Sequence, residues 1–210
     1  MPLKMSNQPE LALPFESIRS LLSKWDSRDA EKPALVDLDQ NGKSITWGQL
    51  AIEADKIACF LSDQGVMPGD KVALLSDENI EKLIIWIGIW RYGAAVCPLN
   101  VEMNEVHLVE ILESIEPALT LWHTNLNGPS LISGLETKVV RFANWSPAIN
   151  VDKDREEFFS ILESYPTSST AIIENDNEAE DLACIFCTSG TTSKPKSVVY
   201  NHMAYWLNGL

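Results

Sequence analysis

Short apolar runs alternate with segments of helical periodicity through the middle of this chain. The runs KVALLS at 71–76, AAVCPL at 94–99 and ALTLWH at 118–123 are almost continuously apolar, which is typical of strands covered on both faces. Between them, residues 79–92 and 104–115 repeat apolar side chains at helical spacing. Strands joined through helices of this length lie parallel in one sheet. The pattern therefore predicts an α/β fold with a doubly wound, mostly parallel sheet flanked by helices.

The residues before this repeat have their own local signals. A helix is predicted at 15–25, where apolar residues share one face. A hairpin is predicted around Asn41–Gly42, because both residues tolerate positive φ angles. Thr46 and Gln49 have the spacing of a capping box, which predicts the start of a helix that runs to Gly65.

The pattern is weaker after the repeat. KVVRF at 138–142 is predicted to be another strand, and 155–165 a helix. The stretch at about 164–181 is rich in acidic and small polar residues. Such a composition predicts a flexible, solvated connection.

Charge and length limit the partners. The chain has 210 residues, of which 45% are apolar, so it can bury the core of one large domain or two small ones. Its formal net charge of −14 repels nucleic acid and anionic membrane surfaces. The longest apolar stretch, Leu83–Leu99, contains Arg91 and is shorter than the roughly 20 residues of a membrane span. We therefore expect no nucleic-acid partner and no membrane span.

The cysteine pattern favours a reducing compartment. The four cysteines are too scattered for a disulfide framework, and the first ten residues lack the features of a secretory signal. These observations predict a cytoplasmic protein. Cys184 and Cys187 lie three positions apart in an apolar strand, so they are predicted to be buried thiols on opposite faces rather than a metal pair. The three histidines show no ligand spacing, so no metal site is predicted from the residues.

A loop rich in hydrogen-bond donors follows the apolar run LACIF. Its sequence, CTSGTTSKPKS at 187–197, lies between two predicted strands. Phosphate oxygens only accept hydrogen bonds, so converging hydroxyl, amide and ammonium donors suit a phosphate chain. By composition alone, a polar surface turn is an equally good interpretation. The candidate binding residues are Thr188, Ser189, Gly190, Thr191, Thr192, Ser193, Lys194 and Lys196.

Two common phosphate-binding motifs are excluded. A Walker loop has a second glycine before its lysine and opens a helix, whereas here no second glycine precedes Lys194, and Pro195 is followed closely by β-branched residues. A dinucleotide fingerprint has three spaced glycines, and this loop has one. The order of its residues must therefore be compared with other nucleotide-binding loops.

That order resembles the phosphate-binding loop of the adenylate-forming superfamily, which contains acyl-CoA synthetases, luciferases and peptide-synthetase adenylation domains. The family pattern is roughly [ST]-[ST]-G-[ST]-T-G-x-P-K-G, and TSGTTSKPKS at 188–197 matches eight of its ten positions. Three upstream segments resemble further family motifs in the same order. They are ITWGQL at 45–50, GVMPGDKVALL at 65–75 and IGIWRYGAAVCPLN at 87–100.

The loop departs from the family pattern at Ser193 and Ser197, where the family usually has glycines. Members that resemble carnitine or crotonobetaine CoA ligases have a serine at the first place, and fatty-acid transport-type synthetases a small residue at the second. The departures therefore favour ligation of a carboxylate to CoA.

The resemblance implies an activity and its participants. In the family, the loop folds over the β- and γ-phosphates of ATP while a carboxylate attacks the α-phosphorus, which gives an acyl-adenylate and pyrophosphate. ATP, Mg²⁺ and CoA are implied, together with a small carboxylic acid. The implied hydroxyl donors are Thr188, Ser189, Thr191 and Thr192, with Gly190 as a backbone donor and Lys196 as the cation. Lys194 occupies a variable family position, which makes a solvated lysine the default interpretation.

The family's catalytic lysine and its adenine-, ribose- and magnesium-associated segments come later in the family's sequences. We therefore expect residues 1–210 to be the N-terminal part of an AMP-binding domain that contains no catalytic residue of its own. Two alternatives stay open. The chain could belong to an adenylation domain that activates an amino or aryl acid for a carrier protein, or it could be a non-catalytic module that binds a nucleotide or a partner.

Overall fold

The structure is a computed structural model of the chain. It describes residues 15–39, 42–103, 105–123, 137–143, 145, 158–166, 177–188 and 196–208. The helices among these residues are α1 Ile18–Asp29, α2 Trp47–Asp63, α3 Ile80–Tyr92, α4 Glu105–Ile115, α5 Phe158–Leu162 and α6 His202–Leu207. The strands are β1 Pro33–Asp37, β2 Lys43–Thr46, β3 Lys71–Leu75, β4 Ala95–Leu99, β5 Leu119–His123, β6 Lys138–Phe142, β7 Leu182–Thr188 and β8 Lys196–Asn201.

Six of these strands form one sheet in the order β6-β5-β3-β4-β7-β8. The pairs from β6 to β7 are all parallel, and only β8 runs antiparallel, against β7. The helices α3 and α4 connect successive parallel strands, as the alternating sequence pattern requires. The predicted doubly wound, mostly parallel sheet is therefore confirmed.

The sheet is covered on both faces, which explains the continuous apolar runs. In β3, Val72 and Leu74 pack with α2, α3 and α5 in one buried cluster. The alternate residues Ala73 and Leu75 pack with α4 in a second cluster on the opposite face. Successive side chains of a strand point to opposite faces, so a strand between two helical layers needs apolar residues at every position.

The predicted hairpin and capping box are both present. β1 and β2 pair antiparallel, and Gly42 between them has a φ of 73°, in the left-handed region that favours glycine. The Thr46 hydroxyl accepts from the Gln49 N–H at 3.3 Å, while the Gln49 side chain accepts from the Thr46 N–H at 3.0 Å. Two amides at the start of α2 are thereby satisfied by local sequence alone.

Helix α3 is built to lie close to α2. Asn79 caps its first turn by accepting from the Lys82 N–H at 2.8 Å, and Gly93 ends it with a φ of 92°. At Gly88, an added Cβ would lie only 2.6 Å from Cβ of Ile57 in α2. The two helices therefore approach more closely than any side chain at position 88 would allow.

Two predicted helices, the predicted acidic connection and the expected lack of a membrane span can be compared with the described residues. The helix predicted at 15–25 is present as α1, and α5 covers the described part of the helix predicted at 155–165. Most of the predicted acidic connection, residues 167–176, lies outside the described residues. Among the described helices, none is long and apolar enough to cross a membrane.

Candidate phosphate-binding site

The two strands predicted to flank the donor-rich loop form an antiparallel hairpin. β7 ends at Thr188 and β8 begins at Lys196, and these two residues are paired across the hairpin. The seven residues between them, 189–195, therefore leave and rejoin the sheet at adjacent positions. The two predicted strands on either side of residues 189–195 are therefore confirmed.

The loop follows the carboxyl end of a parallel strand. β7 runs parallel to β4, with Val96 paired to Cys184, so Thr188 lies at the same end of the sheet as Leu99 of β4 and Leu75 of β3. In open α/β sheets, ligands bind outside the carboxyl ends of the strands. The position of the hairpin is therefore suited to a ligand site.

The structure describes two of the eight predicted binding residues. Thr188 is the last residue of β7, and Lys196 is the exposed first residue of β8. These two are brought together by their backbone pairing. Ser189, Gly190, Thr191, Thr192, Ser193 and Lys194 lie outside the described residues, so their predicted roles stay predictions.

The cysteines of β7 lie on opposite faces of the sheet, as predicted, but only Cys184 is buried, whereas Cys187 is half-buried. Cys184 packs in the cluster that contains α3, whereas Cys187 packs against the cluster that contains α4. Burial raises the pKa of Cys184 to about 11 and also raises the pKa of Cys187, whose Sγ lies 3.8 Å from Oγ of Ser197. Both groups are therefore protonated thiols near neutral pH, and all four cysteines of the chain are free.

His202 begins α6 directly after β8, and it is buried. Its Nε2 lies 2.7 Å from Nδ2 of Asn177, and its ring centre lies 5.4 Å from that of Trp90. Burial lowers the pKa of His202, and the nearby Asp181 opposes that shift in part. Because Asn177 and two aromatic layers surround its ring, we assign His202 to packing of the hairpin.

A cavity of about 300 Å³ lies beside this histidine, between α1, α3 and α6. The sequence pattern does not predict this cavity, because its walls come from helices that are distant in the chain. Only the aromatic residues of α3 and α6 could have indicated it, and their spacing is equally typical of core packing. The cavity is lined by Phe15, Glu16, Ile18, Leu21, Trp90, His202, Tyr205 and Trp206.

Two of the upstream motifs contact each other at the opposite end of the sheet. The Gly69 N–H donates to the Gly93 carbonyl at 2.7 Å, and the Ala95 N–H donates to the Asp70 carbonyl at 2.8 Å. Asp70 also accepts from the Met67 N–H through its carboxylate at 2.8 Å. These motifs therefore join the turns before β3 and β4, and their role is to align the two strands.

The described residues contain no group of three or more His, Cys, Asp or Glu side chains that could hold a metal ion. Mg²⁺ binds through oxygen ligands and usually reaches enzymes with substrate phosphates.

Comparison with known proteins identifies the family. The sequence profile described as AMP-binding enzyme matches residues 22–210. The chain belongs to the AMP-binding enzyme family. The resemblance inferred from the loop and the three upstream motifs is thereby confirmed, and with it membership of the adenylate-forming superfamily.

Relatives of this AMP-binding chain include peptide synthetases. The nonribosomal peptide synthetase sirP of Leptosphaeria maculans is 27% identical over 172 residues, which cover 82% of this chain and 7% of that protein. Surfactin synthase subunit 1 of Bacillus subtilis (strain 168) is 26% identical over 189 residues, which cover 90% of this chain and 5% of that protein. The chain thus spans less than a tenth of either relative.

A solved structure has the same fold. The anthranilate CoA ligase AuaEII, in complex with anthranoyl-AMP, matches with a TM-score of 0.75 and 24% identity, over 93% of this chain and 37% of that chain. The match confirms that the parallel sheet and its helices have the architecture of an adenylate-forming enzyme.

Proposed function

We propose that this chain carries the ATP phosphate-binding loop of an enzyme that activates a carboxylic acid as an acyl-adenylate. The observation that carries the proposal is the hairpin at the carboxyl end of the sheet. The paired residues Thr188 and Lys196 bracket a short loop of hydroxyls, one glycine and a lysine. Membership of the AMP-binding family supports it, as does the anthranoyl-AMP held by the structural relative.

In the proposed chemistry, this chain stabilises the leaving group. The substrate carboxylate attacks the α-phosphorus of ATP. The bond between the α-phosphorus and the oxygen that bridges to the β-phosphate breaks, and pyrophosphate departs. Negative charge builds on the pyrophosphate, and fixed donors directed at it lower the barrier. The proposed donors are the hydroxyls of Thr188, Ser189, Thr191 and Thr192, the backbone at Gly190 and Ser193, and the ammonium of Lys196, with Lys194 as an outer cation.

The hairpin makes such donors effective because both of its ends are fixed. β7 is held by β4 on one side and β8 on the other, so the loop termini cannot separate without breaking strand pairs. The local cations also oppose the overall charge of −14, which would otherwise repel a triphosphate. Mg²⁺ would arrive bound to the phosphates of ATP.

The acyl group is then transferred to a thiol, and we propose CoA as the first candidate acceptor. The two serine departures in the loop and the CoA-ligase activity named for the structural relative support it. A carrier protein is the second candidate, with an amino or aryl acid as substrate. The peptide synthetases among the sequence relatives favour this second acceptor.

We also infer a cytoplasmic location. All four cysteines are free thiols, and the two on β4 and β7 nearest the sheet core, Cys97 and Cys184, are fully buried. A reducing compartment preserves such thiols.

The test is carboxylate-dependent exchange of labelled pyrophosphate into ATP by the full-length gene product that contains this chain. A panel of aliphatic, aryl and amino acids is compared with a reaction that lacks any acid. We expect exchange with at least one acid. ATP binding without exchange for any acid would instead support a non-catalytic nucleotide-binding module.

The acceptor is tested with the acid that supports exchange. Free CoA and a phosphopantetheinylated carrier protein are supplied separately, and the thioester is detected by mass spectrometry. Acyl-CoA without loaded carrier supports the first candidate. Loaded carrier without acyl-CoA supports the second.

A further inference from the structure

The register of the β7–β8 hairpin changes by one residue near its base. Leu182 pairs with Asn201 and Cys184 pairs with Tyr200, so β7 has one extra residue, Ala183, between two consecutive pairs. This is a β-bulge, which leaves the extra residue outside the regular ladder. Above the bulge, the pairing is regular up to Thr188 and Lys196.

The bulge decides which face each β7 side chain occupies. Leu182 packs against the cluster that contains α4, whereas Cys184, two residues later, packs in the cluster that contains α3. A regular strand would place both on the same face. If pairing continued without the bulge from Leu182 and Asn201, Cys187 rather than Thr188 would lie opposite Lys196.

One side chain binds the bulged residue. The Trp90 indole N–H of α3 donates a hydrogen bond of 2.7 Å to the Ala183 carbonyl. The Trp90 ring also makes edge contacts with His202 and Tyr205 of α6, with centres 5.4 Å and 4.9 Å apart. Trp90 therefore contacts β7 and also α6, the helix that directly follows β8.

We propose that Trp90 is a positioning residue, which holds the bulge at Ala183 and so sets the register that places Thr188 opposite Lys196. The expected effect of Trp90 on ATP affinity rests on the proposed function, whereas its expected effect on the strand register does not. Removing the indole donor leaves the bulged carbonyl without that partner, and the bulge-free register becomes more populated. The loop ends are then displaced by one residue.

Trp90→Phe tests the donor, because it keeps an aromatic ring and removes the N–H. Trp86→Phe is a matched control. Trp86 lies one turn earlier on α3 and packs against Trp90, Phe186 and Tyr205, but its indole N–H has no hydrogen-bond partner among the described residues. Both variants are made in the full-length gene product that contains this chain, are examined by NMR for contacts between β7 and β8 backbone protons, and are titrated with ATP.

We expect Trp90→Phe to weaken the Thr188–Lys196 contacts and to produce Cys187–Lys196 contacts, while Trp86→Phe keeps the wild-type pattern. ATP affinity should fall about fivefold in Trp90→Phe only, the change that corresponds to one ordinary hydrogen bond of about 1 kcal/mol. Unchanged hairpin contacts in Trp90→Phe, or equal effects of the two variants, would overturn the proposal.

Two further arms keep the outcome interpretable. If Trp90→Phe does not fold, Trp90 is replaced by β-(3-benzothienyl)alanine, which has the shape of tryptophan without the N–H, and the same contacts are measured. If the wild-type full-length protein does not bind ATP, the proposed function is weakened, while the NMR contacts still decide the role of Trp90.

Discussion

The main-chain N–H of Trp145 donates a hydrogen bond of 2.8 Å to the carboxylate of Glu81, although 64 residues separate them in the sequence. The Glu81 side chain is fully buried, and Lys43 of β2 forms an ion pair with it. The Lys43 ammonium also lies 6.0 Å from the centre of the Trp145 ring. One carboxylate in the first turn of α3 thus joins β2 to the segment that follows β6.

Glu81→Ala should destabilise the fold strongly, because it leaves the Lys43 charge and the Trp145 N–H without this partner. Breaking a buried pair in this way costs about 3–5 kcal/mol. Glu81→Gln should cost less, since its amide oxygen can still accept from Trp145. Urea unfolding measures both. Glu16→Ala is the control, as its ion pair with Lys24 joins two exposed side chains, and an equal loss there would contradict the assignment.

Gly88→Ala should lower the free energy of unfolding by about 1–3 kcal/mol, the usual cost of overpacking. The new methyl group would meet Ile57 at 2.6 Å. Gly48→Ala in α2 is the control, because the atom nearest to its new methyl group would be a carboxylate oxygen of Asp26, 3.2 Å away. Alanine also has the better helix propensity at both sites. Thermal or urea unfolding that ranks the two variants equally would show that α2 and α3 can separate at little cost.

Glu53 should make stability depend on pH. It lies in α2, 3.4 Å from Lys56, which also pairs with Glu163 at 2.6 Å. Burial raises the pKa of Glu53, and the neighbouring Glu163 carboxylate adds to that shift, while Lys56 opposes it. Because the carboxyl pKa is raised in the folded state, ionisation of Glu53 lowers the free energy of unfolding once the pH exceeds the unfolded pKa, and the full penalty is reached above the folded pKa. The penalty disappears as the pH falls through the folded pKa toward the unfolded value.

The variant Glu53→Gln removes this dependence. Its stability relative to wild type should therefore increase as the pH rises from 5 to 8, measured by urea unfolding at each pH. Glu110→Gln, on the exposed face of α4, is the control. It measures how the loss of one surface carboxylate changes stability over the same pH range. A Glu53→Gln difference that stays constant over this range would contradict the assignment.

Lys196→Ala should reduce pyrophosphate exchange about 100-fold, the scale observed when one fixed donor to a developing charge is removed. The fold should be unaffected, because Lys196 is an exposed end residue of β8. Thr191→Ala should also reduce exchange. Lys138→Ala is the matched control. Lys138 is likewise the exposed first residue of an edge strand, but it lies at the opposite end of the sheet. Equal activity of the two lysine variants would remove the proposed role of Lys196.

Local signals in the sequence predicted most of the fold. The capping box at Thr46 and the turn at Gly42 involve residues close together in the chain. Interactions between residues three or four positions apart form independently of distant parts of the chain, so the sequence pattern alone is sufficient to place them. The two strands on either side of the loop were also predicted, from the residues within each strand, whereas their antiparallel pairing was not.

The order of the loop residues was also a property of the sequence, and it was sufficient to indicate the family before any coordinates. What it did not contain is the alignment of the hairpin. Trp90 has the helical spacing of a core residue, and nothing near Ala183 in the sequence marks a bulge. Their hydrogen bond spans 93 residues, and it exists only because α3 packs against β7.

The sequence by itself thus determined the types of the elements and the parallel sheet, and it supplied the candidate donors, because each depends on short-range periodicity or on residue chemistry. Only the tertiary structure decided which distant groups share a partner, as Glu81 does with Lys43 and Trp145. It also decided the cavity between α1, α3 and α6, and the register that pairs Thr188 with Lys196. Those features depend on close packing of surfaces from separate segments, and such packing has no signature in a linear pattern.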